Sequence, residues 1–359
     1  MFYYMPTHIY EEAGCVRNHG KEWTSLGSKA MIVTGHTSAK RNGALADVEE
    51  TLEANQVSYI LFDQVEENPS IETIMQARQI GLDEGVDFVI GIGGGSPMDA
   101  AKAIALMIRK PEAGPEYLYT KGDDTAIPVV EVPTTCGTGS ESTPYAILTI
   151  HAKETKGSIS HRIFPAYGLI DAGYLAYAPK QVICNTAVDA LGHLIESYIN
   201  SNATDYSRML NEKALEVWSR SIPYLTGARE ALPTDYSNLM NASCMAGMSI
   251  SHTGTSLPHG LSYPVTYTMG MPHGAAIGYF LYGYLKYAPA KARDFVLNRA
   301  GFKDLDAFGM FYEQVCHPGN VDPAILERSV DVVINNPAKL KNCPYQVTET
   351  MLRDICGLR

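Results

Sequence analysis

The chain is short of positive charge. Its 28 lysines and arginines stand against 39 aspartates and glutamates, a net charge of −11 over 359 residues, and no basic cluster offers the footprint that a phosphate backbone requires. Nucleic acid is therefore not expected as a partner. No apolar run reaches the ~20 residues of a membrane span, and the opening Met1-Phe2-Tyr3-Tyr4-Met5-Pro6 is too short and interrupted for a signal peptide. A cytoplasmic protein with no membrane partner is expected. The seven cysteines are odd in number and none forms a CxxC pair, which argues against a disulfide framework and a zinc ribbon and for reduced structural thiols. Internal repeats and low-complexity tracts are absent as well.

What is present is material for two domains. The first half alternates strand and helix. Strands are expected at 30–35, 58–62, 86–92 and 128–132, and helices at 44–52 and 71–84, the second helix entered by the turn Asn68-Pro69-Ser70 with an N-cap. That rhythm belongs to a parallel sheet. The third strand runs into Gly93-Gly94-Gly95-Ser96-Pro97-Met98-Asp99-Ala100-Ala101-Lys102, where glycines let the backbone approach an anion and a helix N-terminus favours phosphate. The spacing departs from the GxGxxG dinucleotide fingerprint. The fourth strand ends in Pro133-Thr134-Thr135-Cys136-Gly137-Thr138-Gly139-Ser140-Glu141, and hydroxyls at the carboxyl end of a parallel strand lie where a doubly wound sheet binds its ligand. A further strand is expected within 145–150, and Lys156 offers a cation near the same edge.

Beyond Pro179 the texture turns helical, with apolar periodicity at 187–198, 206–218, 238–251, 277–287 and 323–334. An α/β domain over 1–178 and an all-helical domain over 179–359 follow. In the first of these helices Asp189 and His193 stand four residues apart, on one face. Buried polar groups need partners, and His259 and His273 downstream are candidates. One carboxylate with three imidazoles suits Fe(II) or Zn(II) better than Ca(II) or Mg(II). An Asp-x3-His pair is also an ordinary helix pair, with the histidine merely hydrogen-bonded.

The glycine run at 93–95 with Asp99 and Lys102, the threonine loop at 133–141, Asp189-x3-His193, and His259 with His273 together resemble the iron-containing (group III) alcohol dehydrogenase family, in order and over nearly the whole chain. The resemblance implies a Rossmann-like nucleotide-binding domain followed by a helical metal-binding domain, the dehydroquinate synthase-like architecture. It implies Asp189, His193, His259 and His273 as metal ligands. Gly94, Gly95 and Ser96 would hold a pyrophosphate, Asp99 would sit near the nicotinamide, Thr134, Thr135 and Thr138 would line the nucleotide, and Lys156 would reach a ribose. The implied reaction interconverts a small aldehyde and its primary alcohol with a nicotinamide cofactor, and a homodimer or higher homo-oligomer is the default assembly.

Three departures qualify this. Where the family commonly carries an aspartate after the first strand, the chain has Gly35, followed by His36-Thr37-Ser38-Ala39-Lys40-Arg41. Hydroxyls and cations in place of a carboxylate favour NADP(H) over NAD(H). Tyr263 stands where many members have a further histidine that relays a proton, and a phenol with pKa near 10 exchanges protons poorly at neutral pH. Finally, Ser251-His252-Thr253-Gly254-Thr255-Ser256 is a polar stretch before His259. It suggests a polar or anionic aldehyde such as sulfoacetaldehyde, with Asp99, His252 and Tyr263 as the candidate residues around the chemistry; a purely structural hydrogen bond explains His252 equally well. The rival readings are a glycerol dehydrogenase-like or dehydroquinate synthase-like enzyme and a non-catalytic nucleotide-binding assembly subunit.

Overall fold

Alternating side chains along the early strands divide between two apolar layers, and this sets the first unit. In the computed structural model, which describes residues 3–358, that unit comprises Met5–Thr135 and Gly139–Ala178. Its strands are β1 (His8–Glu11), β2 (Lys29–Thr34), β3 (Ser58–Phe62), β4 (Phe88–Gly93), β5 (Val129–Pro133), β6 (Ile147–Ile150), β7 (Thr155–Ser158) and β8 (Tyr167–Ile170). Six of them form one parallel sheet in the order β1-β8-β5-β4-β2-β3. Met31 and Val33 of β2 enter one buried cluster with Ile74, Ala101 and Ile104; Ala30 and Ile32 enter the other with Trp23, Val48 and Leu52. The helices supplying these residues include α1 (Ala44–Ala54), α2 (Ile71–Glu84) and α3 (Gly95–Arg109). Ser70 caps α2 by accepting a hydrogen bond from the Thr73 amide.

The strand order places the nucleotide-type loops. From β2 the chain runs outward to β3, then returns across β2 to β4, so β2 and β4 are neighbours at a topological switch point. Ligands of open parallel sheets bind at the carboxyl ends there. Gly35 follows β2 and Gly93 closes β4, so both loops stand at that switch.

Two parts of this sheet differ from the sequence expectation. The four-residue strands β1 and β8 pair with each other although more than 150 residues apart in sequence, and neither carries a turn signal or a clear period. The strand expected within 145–150 leaves the main sheet: β6 pairs antiparallel with β7 in a separate hairpin. Lys156 lies on β7, so it sits on this hairpin and not on the edge of the parallel sheet.

The second unit runs from Pro179 onward, together with Cys136–Thr138 and residues 3–4. Its principal helices are α4 (Lys180–Tyr198), α5 (Asp205–Ser219), α6 (Pro233–Thr253), α7 (Leu257–Met269), α8 (His273–Tyr287) and α9 (Pro323–Ile334), and past Pro179 no strand forms among the described residues. Every residue of 187–197 is buried. Such a helix, covered all round, is the centre of its unit. No described helix is long and apolar enough to cross a membrane. All seven cysteines are buried.

Candidate functional site

On α4 the four-residue spacing does what helical geometry requires. Asp189 and His193 share a face, with Asp189 Oδ1 3.8 Å from His193 Nδ1. His259, near the start of α7, brings its Nε2 to 3.6 Å from the same Oδ1 and stacks on His193 with ring centroids 4.3 Å apart. One ligand atom from each of Asp189, His193 and His259 lies within 4.8 Å of the others, and all three residues are buried. Asp189 Oδ1 and His259 Nε2 are buried and, among the described residues, have no hydrogen-bond partner. Two unsatisfied buried polar atoms facing each other are costly unless something bridges them, and imidazole nitrogen with carboxylate oxygen is the ligand set of a transition-metal ion. The residues therefore fit a divalent ion.

The electrostatics agree. Burial opposes ionisation of Asp189, but His193, His259 and His273 outweigh it and hold the carboxyl well below the usual range. Burial pushes His193 down to about 4 against the pull of Asp189, which leaves a neutral imidazole with a free lone pair at neutral pH. The Nδ1 of His193 faces the Gly137 carbonyl at 3.2 Å. A Cβ on Gly137 would stand 2.9 Å from Thr186 Cβ and 3.0 Å from Asp189 Oδ2, so only glycine brings that carbonyl so close to α4.

His273, the first residue of α8, is outside the three-residue set. Its ring lies edge-on to His259 with centroids 5.6 Å apart. Tyr263 stacks on His273 at 6.0 Å, and the Lys339 ammonium sits 5.8 Å from the Tyr263 ring centre. His252 has other work. Its Nε2 accepts the Tyr4 amide at 3.0 Å, its Nδ1 faces the Met248 carbonyl at 2.8 Å, and its ring stacks on Tyr3 at 4.5 Å. Nε2 thus ties Tyr4 to α6 while Nδ1 is engaged within α6 itself, so the structure gives His252 the structural hydrogen bonds that were the alternative to a role at the substrate.

In the sheet unit, Gly93 has φ of +149° and a Cβ there would meet Pro97 Cγ at 2.7 Å; the turn out of β4 admits no side chain. Its carbonyl accepts the Thr134 amide at 2.8 Å, and Thr135 lies beside Gly94. Thr138 falls in the helical unit. Ser96 Oγ accepts the Asn68 amide at 3.0 Å, and the Lys156 ammonium donates to Asn68 Oδ1 at 2.9 Å. Asn68, in the left-handed region at φ +58°, thus links two proposed cofactor residues; in sequence it read only as a turn. Ser38 opens the short turn Ser38–Arg41 after Gly35. Lys40 in that turn pairs with Asp63 at 2.6 Å.

Asp99 has both carboxylate oxygens occupied: Ser140 donates to Oδ1 at 2.6 Å and the Ile147 amide to Oδ2 at 2.8 Å. Burial outweighs the neighbouring Lys102 and raises its carboxyl. Lys102, fully buried, donates to the Ser140 carbonyl and hydroxyl at 2.7 Å each and to the Tyr145 carbonyl at 3.0 Å, and stands 3.6 Å from Glu131. Burial pushes the Glu131 carboxyl up to about 8. Sequence reasoning gave Lys102 and Glu131 no role, and the same is true of Glu196, which faces His259 Nδ1 on α4.

Fold and residues together define the class: a parallel sheet with loops at its switch point, followed in the chain by a helical unit whose buried Asp189, His193 and His259 could hold a metal ion. Residues 6–172 match the family model for iron-containing alcohol dehydrogenase, and residues 183–300 match that for the C-terminal part of the Fe-containing alcohol dehydrogenase family. The solved iron-containing alcohol dehydrogenase from Thermotoga maritima is similar with a TM-score of 0.90 at 35% identity, covering 99% of this chain and 98% of that one. The long-chain primary alcohol dehydrogenase AdhA of Thermoanaerobacter ethanolicus is 31% identical over 258 residues, 71% of this chain and 64% of its own length. Lactaldehyde reductase of Escherichia coli K12 is 30% identical over 265 residues, 72% of this chain and 68% of its own length. The chain belongs to the iron-containing alcohol dehydrogenase family.

The anchoring of Asp99 has a measurable consequence. Asp99→Ala leaves the Ser140 hydroxyl and the Ile147 amide without their acceptor, and an orphaned buried donor costs about 1–3 kcal/mol. Urea unfolding should show a loss of that size, with faster amide exchange at Ile147; unchanged stability and exchange would show that the loop does not depend on Asp99.

Proposed function

We propose that the protein is a metal-dependent, nicotinamide-linked alcohol dehydrogenase that interconverts a short-chain aldehyde and its primary alcohol. The observation that carries this reading is the convergence of two unpartnered buried atoms, Asp189 Oδ1 and His259 Nε2, beside His193. These three residues, with His273 as the fourth, would hold Fe(II) or Zn(II). When bound, the ion supplies Lewis acidity that polarises a carbonyl or lowers the pKa of an alcohol, and the nicotinamide carries the hydride.

The chain's own residues supply the rest. Asp189 brings the negative charge that offsets a divalent cation, and His193 is already neutral and ready to ligate. Gly94, Gly95 and Ser96 at the α3 N-terminus would take the pyrophosphate. Thr134, Thr135 and Thr138 would line the nucleotide, and Lys156 would reach it from β7. Asp99 orders the loop at 140–147, and Tyr263 offers a hydrogen-bond donor beside His273. Residues 1–178 would then be the nucleotide-binding domain and 179–359 the metal-binding domain. A cytoplasmic location fits seven buried thiols, and a homo-oligomer is the default for such an enzyme.

With His252 held by Tyr4 and Met248, an uncharged short aldehyde is favoured over an anionic one such as sulfoacetaldehyde. Metal-analysed protein should reduce propionaldehyde or butyraldehyde with kcat/KM at least equal to that for sulfoacetaldehyde, and His259→Ala should lose bound metal and turnover together. A large preference for sulfoacetaldehyde would overturn the substrate reading; full metal content and turnover in His259→Ala would overturn the site.

Gly35 in place of a carboxylate supports NADP(H), although Lys40 is already paired with Asp63 and a 2′-phosphate must compete for it. Gly35→Asp should move the NADPH-to-NADH ratio of kcat/KM toward NADH by tenfold or more, about 1.4 kcal/mol. An unchanged ratio would remove this loop from the ribose site.

A further inference from the structure

Helix α7 starts without its own cap. Ser256 occupies the N-cap position, and its side chain makes no capping hydrogen bond, yet the first amides of a helix need acceptors. The acceptor comes from a different helix. Glu196, fully buried on α4, places Oε1 at 2.8 Å from the Ser256 amide and 3.4 Å from the His259 amide, with the Ser256 hydroxyl at 3.3 Å. A carboxylate at a helix N-terminus is also favoured by the helix dipole. The other oxygen, Oε2, faces the Nδ1 of His259 in a very close contact.

One side chain therefore performs two tasks at one helix start. With Oε1 taken up as acceptor of the Ser256 and His259 amides, Oε2 is left as the acceptor that faces His259 Nδ1, and Nδ1 is then the atom that carries the proton. A neutral imidazole with its proton on Nδ1 has its lone pair on Nε2, the atom that lies 3.6 Å from Asp189 Oδ1. Outer carboxylates that fix the tautomer of a ligating histidine in this way tune many metal centres.

We propose that Glu196 is a positioning residue that sets both the place of α7 against α4 and the tautomer of His259, so that Nε2 is presented to the ion. This rests on the metal-site reading above. Among the described residues, Glu196 is the carboxylate of the helix bearing Asp189 and His193 that accepts the first amides of the helix bearing His259.

The test uses the full chain and Glu196→Gln. The glutamine carbonyl keeps the cap on Ser256 and His259, which turns the amide nitrogen toward Nδ1; Nδ1 must then accept, and the imidazole proton moves to Nε2. In metal-free protein at alkaline pH, long-range proton–nitrogen NMR of the imidazoles should find His259 protonated on Nδ1 in the wild type and on Nε2 in the variant. Zn(II) affinity measured by chelator competition should fall roughly 10- to 100-fold while the thermal midpoint of the metal-free variant stays near wild type. Wild-type His259 protonated on Nε2 would overturn the proposal without any variant. So would a glutamine variant that keeps the wild-type tautomer and Zn(II) affinity. If the wild type binds neither Zn(II) nor Fe(II) but the tautomer switches as described, the metal reading falls and the hold of Glu196 on the imidazole stands.

Discussion

Asp189 and Glu196 are carboxylates buried two turns apart on one helix, and the helical unit is arranged around the need to compensate them. An isolated ionised carboxylate in such a place would take up a proton instead. Both are held in their ionised form: Asp189 by the imidazoles around it, Glu196 by His259 and by the amides at the head of α7. His259 touches both. Burial alone would push its imidazole down, and the two carboxylates outweigh that and raise it. Breaking one partner out of a buried charged set typically costs about 3–5 kcal/mol because the other is left uncompensated. The arrangement of α4, α7 and α8 is thereby tied to charge as well as to packing.

The sheet unit solves a similar problem with the signs arranged differently. The fully buried Lys102 stands near Glu131 and Asp99 and collects carbonyl and hydroxyl oxygens from the irregular stretch at 140–145. An irregular loop has no ladder to satisfy its backbone, so it needs acceptors and donors from elsewhere. Lys102 supplies donors, and Asp99 one turn earlier on α3 supplies acceptors. In both units a buried charge on one helix meets backbone groups that lack a partner within their own element.

Much of this was legible in the sequence wherever the cause is local. The strand Ser58–Phe62 and the helices Ile71–Glu84 and Pro323–Ile334 begin and end at the residues that their periodicity and flanking turn residues mark. The spacing of Asp189 and His193 is likewise a property of one helix. What was hidden depends on distant partners. β1 and β8 are four-residue strands that find each other only through the finished sheet. Helix α7 contains Gly260 and Pro264, residues that weaken the helical pattern, and the acceptor for its first amides is Glu196, some 60 residues earlier. Asn68, Lys102 and Glu131 have roles given by contacts 28 to 88 residues away. His252 looked like a chemical group because its partner, the Tyr4 amide, lies 248 residues back in the chain.

The burial of all seven cysteines has a bearing on an enzyme that handles aldehydes. A thiolate adds readily to an aldehyde carbonyl, and the thiolate rather than the thiol is the nucleophile. Burial pushes the thiols of Cys15, Cys136, Cys343 and Cys356 up to about 12 and raises those of Cys184 and Cys316 as well. In the folded chain these six sulfurs are both enclosed and protonated at neutral pH. The same packing that fills the core thus shields these six thiols from the electrophile the protein is proposed to turn over.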